Sequence, residues 1–299
     1  MKFGKVENPE NIDFTLPKTH FDTSKVLKQS SKDKLNVFVG CAKWNRAELK
    51  GFYPRGTKDE LTYYSSQFNS IELNATFYRL FPKEQFIKWY DKTPSGFKFF
   101  PKLGQEISHF KRLQNVDAVV NEYIDHFVLL KEKLGTIFLQ LHNNFSPKNF
   151  KRLQDFVESW PKELPLTVEC RHTDWFTDPN VADDFYSLLE DNNVSNTIVD
   201  TAGRRDMLHM RLTKDEAFIR YVGANHNSDY RRLDDWIIRL KEWVNMGLKN
   251  IHFFVHQNLE QESPLLAAYF IKQLNKEFGL SLIIPNEKDD DSDSQISLF

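Results

Sequence analysis

The sequence predicts an α/β fold, a (β/α)8 barrel of the TIM type, on three observations. Eight short β-rich runs recur along the chain, amphipathic segments of helical period separate them, and 299 residues suit one such barrel, which takes about 250, plus extensions. The strand runs are nearly continuous in apolar residues rather than alternating, as strands covered on both faces require. They begin at Asn36 (NVFVGCAKW), Ser70 (SIELNATFY), Phe97 (FKFFPKLG), Gly135 (GTIFLQLHNN), Pro165 (PLTVECRH), Ser195 (SNTIVDTA), Ala217 (AFIRYVG) and Asn250 (NIHFFVHQN).

Between them, TKDELTYYSSQF, the long VDAVVNEYIDHFVLLKEKLG, SPKNFKRLQDFVESW, DPNVADDFYSLLED and RRLDDWIIRLKEWVNMG read as helices, and SPLLAAYFIKQLNKEFG closes the barrel. Several start at Ser, Thr or Asp near a proline and stop at Gly, which is cap chemistry. After the sixth strand, GRRDMLHMRLTKDE is too short for a full helix and reads as a loop with a stub. A doubly wound open sheet is the alternative, but no Gly-rich phosphate fingerprint follows any strand. Residues 1–35 lack periodicity and are expected to be an extension packed by Phe14 and Phe21. Residues 36–285 are expected to form the barrel, and 286–299 an acidic, disordered tail.

Hydrophobic residues make up 40% of the chain and aromatic ones 14%, with 26 Phe, so a large core can form. The formal net charge of -2 argues against a general nucleic-acid binder. The acidic tail more than accounts for that charge, and the faintly basic remainder permits phosphate binding without demanding it. No apolar stretch suits a membrane span or a signal peptide, so a cytoplasmic location with no membrane partner is expected. Cys41 and Cys170 lie on different expected strands and read as reduced core thiols.

Barrel sites form at the C-terminal ends of the strands, where Lys43, Trp44, Glu72, Asn74, Lys102, Gln140, His142, Glu169, Arg171, His172, Asp200, Arg220, His256 and Asn258 fall. Glu72, Glu169 and Asp200 come from three strands and are expected to converge, paired with Lys102, Arg171 and Arg220 or binding a cation. A salt-bridge network without catalytic use is the plainer alternative. A divalent metal would find ligands among His142, His172, His226, His256, Glu169 and Asp200, although no pair has a tight helical spacing. Arg204 with Arg205, and Arg231 with Arg232, are expected in loops on the same side, where phosphate is often held. Trp44, Tyr78, Trp175, Tyr221 and Tyr230 are candidates for stacking on bases or sugars.

At FNSIELNATFYRL, with FYP before it and VECRHTDWF after it, the chain resembles the YecE-like family, also called domain of unknown function 72. GCAKW, FKFFPKL, FLQL, the Asp ending the sixth strand and the Arg of the seventh extend the likeness over residues 36 to 280. The resemblance implies a TIM-type barrel and little about activity. It places the family's recurrent polar positions on Glu72, Asn74, Lys102, Gln140, Glu169, Arg171, His172, Asp200 and Arg220. Two departures stand out: His142 and Asn143 replace a usual pair of prolines, and VHQN replaces FNN after the last strand.

The terminal QISLF resembles the bacterial sliding-clamp binding peptide, with Gln295, Ile296, Leu298 and Phe299 at its anchor positions. Burying Leu298 and Phe299 is worth about 1.5–3 kcal/mol each against the cost of ordering the tail, which suits micromolar affinity. Together these readings imply a clamp-tethered barrel acting on DNA or another phosphate-containing substrate in replication or repair, as a hydrolase of phosphate esters. In that case Glu169 or Glu72 is the expected general base, Asp200 its partner or a metal ligand, and Lys102, Arg171 and Arg220 hold anionic oxygens. Trp44, Asn74, Tyr78, Gln140, His142, His172, Trp175 and His256 are then expected to contact substrate. The alternatives are a sugar or sugar-phosphate isomerase or lyase, and a non-catalytic adaptor that binds nucleic acid or protein.

Overall fold

The computed structural model describes residues 4–28 and 34–287. All eight expected runs are strands, each parallel to its neighbour: β1 Asn36–Cys41, β2 Ser70–Leu73, β3 Lys98–Pro101, β4 Ile137–Gln140, β5 Leu166–Glu169, β6 Ser195–Thr201, β7 Glu216–Gly223 and β8 Asn250–Gln257. Their ladders form a six-stranded sheet in the order β1-β8-β7-β6-β5-β4 and a separate pair, β2-β3. The expected single ring of eight is therefore not one continuous ladder. Between β3 and β4 only isolated bridges remain, at Phe99 with Leu134 and Lys102 with Phe138.

Side chains replace the ladder between β1 and β2. Asn69 donates its amide to the Val37 carbonyl (2.8 Å) and accepts from the Val39 N–H (2.9 Å), doing with one side chain what a strand residue does with its backbone. The Tyr64 hydroxyl accepts from Cys41 N–H (2.7 Å) and donates to the Ser70 carbonyl (3.0 Å). Gly40 is required at this seam, because a Cβ there would lie 2.2 Å from the Ser70 carbonyl oxygen.

Two cores result. Phe100, Phe138, Phe218 and Phe254, with Phe38 against them, come from β3, β4, β7, β8 and β1 and fill the space the strands enclose. The larger core lies between the strands and the helices outside them. Those helices are α1 Thr23–Lys28, α2 Glu60–Gln67, α3 Ala75–Tyr78, α4 Lys83–Lys92, α5 Asp117–Phe127, α6 Phe150–Ser159, α7 Asp174–Thr177, α8 Pro179–Asp191, α9 Ser228–Met246 and α10 Ser263–Phe278. Caps fix their ends: Asp59 accepts from Thr62 N–H at α2, Asp178 from Asn180 N–H at α8, and Gly279 takes the left-handed turn (φ 63°) that ends α10. No helix among the described residues is long and apolar enough to cross a membrane. Cys41 and Cys170 are buried and unbridged.

The long helix before β4 differs from expectation, while the loop with a stub expected after β6 is found. The long helix before β4 stops at Phe127 and continues as a 3-10 turn, Val128–Lys133, in which Lys131 is left-handed (φ 49°). The bend lets the Lys133 ammonium reach the Tyr90 and Thr93 carbonyls (2.5 and 2.6 Å) and sets Gly135 N–H on the Phe99 carbonyl, where β4 begins. After β6 there is only a 3-10 turn, Ala202–Met207, and the N-terminal segment fills the place of the missing helix. His20 N–H and the Thr23 hydroxyl bond the Met210 carbonyl, the Trp243 indole donates to Thr19, and the Phe14 ring lies 4.5 Å from the Arg232 guanidinium. Phe14 is buried as expected, but Phe21 is 67% exposed and stacks on His20. At the other end Asn286 still touches the body, bonding Tyr63, Gln67 and the Phe52 carbonyl. Residues 288–299 of the expected acidic tail, with Gln295, Ile296, Leu298 and Phe299, lie outside the described residues.

Candidate functional site

Strand register decides which side chains meet. Arg220 pairs in register with Phe254, and Glu72 with Phe100, so both charged residues share the inner face with the phenylalanine layer. Gln140 pairs with Glu169, one step above the inward Phe138 by two residues. The result is a charged layer resting on an aromatic floor, with the Arg220 guanidinium 5.4 Å from the Phe138 ring centre.

Arg220 is the hub. Its Nε and Nη2 grip both oxygens of Glu72 (2.9 and 2.8 Å), and its Nη1 donates to Glu169 (2.7 Å). Arg171 donates to the other Glu169 oxygen, Asn74 to Glu72 (2.6 Å), and the His256 Nε2 lies 2.9 Å from Glu72. Both carboxylates are fully buried. Burial pushes the Glu72 carboxyl up, but Arg220 and His256 outweigh it and hold it well below the usual range. Burial likewise raises Glu169, and Arg171, Arg220 and Lys102 together bring it down to about 2.

Lys102 stands apart from this network. Its ammonium donates to Gln140 Oε1 (2.8 Å) and lies 4.0 Å from the Phe77 ring centre. Burial first, then Arg220 and Arg171, lower it to about 7 against the pull of Glu169 and Glu72.

Above these groups opens a cavity of about 590 Å³, within the range of small-ligand sites. Lys43, Asn74, Lys102, Gln140, His142, Arg171, Arg220, His256 and Asn258 line it, all of them strand-end residues that the sequence singles out, as does Tyr78, a candidate for stacking. Sequence reasoning missed its other wall. Gln105, His109 and Phe110 come from the connection after β3, where Glu106–Phe110 is a single π-helical turn followed by left-handed Arg112, Leu113 and Asn115 (φ 48°, 64° and 51°). Such backbone gathers at functional sites. Three non-glycine left-handed residues so close together leave no compositional mark, so nothing in the residue pattern pointed to this wall. His109 meets His142 edge to face (5.1 Å), and burial followed by His142 lowers its imidazole to about 4. Tyr78 and Phe110, each 70% exposed, stand at the rim.

Several expected site residues are elsewhere. Asp200 does not converge with Glu72 and Glu169: its register partner is Tyr221, one residue from the inward Arg220, so it points out to the helices. There Arg232 (2.9 Å), Arg205 and the Trp236 indole (2.8 Å) hold it. Trp175 is core, donating to the Phe145 carbonyl, and Trp44 packs edge-on against Trp89. His172 does not line the cavity; its Nδ1 accepts from the Asp174 N–H (3.3 Å). His226 caps the start of α9 through Ser228, far in role from a metal ligand. Among the described residues no three His, Cys, Asp or Glu side chains gather as a metal site requires. Arg231 and Arg232 lie in α9 rather than a loop, and Arg204, Arg205 and Arg232 are engaged with Asp206, Asp200 and Asp229. Tyr221 is buried, and Tyr230 meets Tyr269.

Comparison with known proteins agrees with this architecture. A family model described as "Protein of unknown function DUF72" matches residues 38–289. The UPF0759 protein YecE of Escherichia coli (strain K12) is 26% identical over 273 residues, covering 84% of this chain and 98% of that one. Crystal structures of DUF72 family proteins share the fold. The one from Enterococcus faecalis V583 has TM-score 0.65 at 18% identity, covering 84% of this chain and all of that one. The one from Thermotoga maritima MSB8 has TM-score 0.61 at 24% identity, covering 80% and 99%.

Proposed function

The chain belongs to the DUF72 family, and from that premise we propose that its strand-end cavity binds a phosphate-containing substrate. The observation that carries the reading is the charge of the lining. Lys43, Lys102, Arg171 and Arg220 face the cavity against the single carboxylate of Glu260, while Glu72 and Glu169 lie beneath, already taken up by guanidiniums. An anion entering this space meets guanidinium donors that Glu72 and Glu169 hold in place, and competes with Glu48 only at Lys43. Tyr78 and Phe110 at the rim suit stacking on a base or sugar. This reading takes β1 to β8 as one barrel with the site at its mouth.

Glu72 and Glu169, the sequence's candidate bases, are held ionised far below neutrality, so they serve here as fixed counter-charges that aim Arg220 and Arg171. Recruitment is the second part of the reading. The QISLF ending resembles a clamp-binding peptide, so Gln295, Ile296, Leu298 and Phe299 tether the barrel to the replication clamp and place it near DNA.

Calorimetric titration and thermal melts with inorganic phosphate, ribose 5-phosphate and a short single-stranded oligonucleotide test the site. Ligand at 100 times Kd adds about 2.7 kcal/mol of stability, and Arg171→Met weakens binding at least tenfold. Absence of binding by all three ligands rejects the phosphate reading. For recruitment, a peptide of the last ten residues binds purified clamp and loses binding when Leu298 and Phe299 become Ala; equal binding by both peptides removes the tether.

A further inference from the structure

Lys102 is placed unlike any other cation of the cavity. Its side chain is 6% exposed and follows β3 into the wall, with Gln140 Oε1 as its hydrogen-bond acceptor and the Phe77 and Phe138 rings at 4.0 and 5.5 Å. The two nearby carboxylates are spent on arginines: Glu72 on Arg220, and Glu169 on Arg220 and Arg171. An ammonium in this position gains one neutral acceptor while facing two guanidiniums, whereas the uncharged amine keeps the Gln140 bond and turns a lone pair toward the cavity. Around it Asn74, His109, His142 and His256 offer donors and acceptors of the kind that sugar hydroxyls match.

From this arrangement we infer that the Lys102 amine forms an imine with the open-chain aldehyde of a phosphate-bearing sugar. The inference rests on the phosphate reading above and adds the reacting group. In the step, the Nζ lone pair adds to the aldehyde carbon and the carbonyl π pair moves to oxygen. The two N–H protons pass to that oxygen, which leaves as water, and a C=N bond remains. Arg171 faces the phosphate, which spares Lys102 from pairing with it. His109, neutral at pH 7 because burial and His142 hold its imidazole near 4, stands within the same cavity to relay a proton.

Selectivity follows from the acid constant. With Lys102 near 7, about half of it is amine at pH 7, against roughly one part in 2,500 for an ordinary lysine near 10.4. The nucleophile is the deprotonated form, so adduct formation rises with pH up to about 7 and levels above it.

Borohydride reduction tests the step, because hydride converts the imine into a stable secondary amine whose mass and position peptide mapping reads. The full chain is incubated with ribose 5-phosphate, with plain ribose, and with an oligonucleotide carrying one base-free deoxyribose, then reduced. The expected result is a single adduct at Lys102, absent in Lys102→Arg and Lys102→Met, with preference between the two phosphate-bearing probes identifying a free sugar phosphate or a nucleic-acid strand as the source. Mapping on the unmodified chain stands alone if a variant fails to fold. Adducts scattered over surface lysines, or none at Lys102 while the phosphate ligands still bind, overturn the imine and leave the phosphate site intact. An adduct at Lys102 that plain ribose forms equally and excess inorganic phosphate does not suppress keeps the imine and removes the phosphate reading.

Discussion

Replacing Arg220 by Met removes the guanidinium that three hydrogen bonds tie to Glu72 and Glu169, and leaves two buried carboxylates above a phenylalanine floor. The cost follows from the site in two ways. Breaking a buried ion pair by deleting one partner costs about 3–5 kcal/mol. In the same direction, Arg171, Arg220 and Lys102 hold Glu169 down to about 2 against its burial, a shift on the order of a few kcal/mol of stability. A depressed carboxyl contributes fully above its unfolded value near 4.5 and loses that contribution as pH falls toward about 2, so the wild type keeps the gain at pH 5 and 7. Without Arg220 the burial that pushes both carboxyls up is opposed by less, and one of them takes a proton as pH falls. Urea unfolding followed by tryptophan fluorescence should therefore show Arg220→Met less stable by about 3–5 kcal/mol at pH 7 and by distinctly less at pH 5. Arg220→Lys should fall between, keeping charge but losing the fork. A loss under about 1 kcal/mol at pH 7, or one that does not change with pH, would refute the view of Arg220 as the hub of a charged buried layer.

Asp200→Asn should destabilise by about 2–4 kcal/mol, because Arg205 and Arg232 lose a shared buried carboxylate and Arg232 keeps only Asp229, yet leave phosphate binding unchanged; weakened binding at full folding would put Asp200 back at the site. Asn69→Ala should cost about 2 kcal/mol and speed amide exchange at Val39 specifically, as read by hydrogen–deuterium mass spectrometry. Phe14→Ala should cost about 3 kcal/mol in unfolding experiments, since its ring is buried beside Arg205 and Arg232; a change within 0.5 kcal/mol argues that the N-terminal segment is a loose appendage.

Strand number was legible because double-sided burial writes itself as continuous apolar runs, though the split into a six-stranded sheet and the β2-β3 pair was not, and position near a strand end singled out Glu72, Lys102, Gln140, Glu169 and Arg220, which lie together at the cavity. Facing was harder. Asp200 ends its strand just as Glu169 does, and only the pairing of Val199 with Arg220 reveals that it turns outward. Continuous apolar runs erase the alternation that would have told the two faces apart. Trp175 was misplaced for a different reason: on α7, just past VECRH, its indole satisfies its N–H through the Phe145 carbonyl and is core. The π-helical wall with His109 and Phe110 depends on backbone geometry that no residue pattern encodes. The seam at Asn69 was hidden because a single asparagine does the work of a ladder.

The N-terminal segment docks on a surface completed about 190 positions later, as the bonds from Arg205 to the Phe14 and Thr15 carbonyls record. At roughly 5–20 residues per second of synthesis, residues 4–28 wait on the order of 10–40 s after emerging before their berth between α8 and α9 has been translated. During that interval the Phe14 side chain has no shelter, and the nascent chain is open to chaperones at its leading end. A bulky N-terminal fusion would burden that late docking step, while an equal addition at the other end would not.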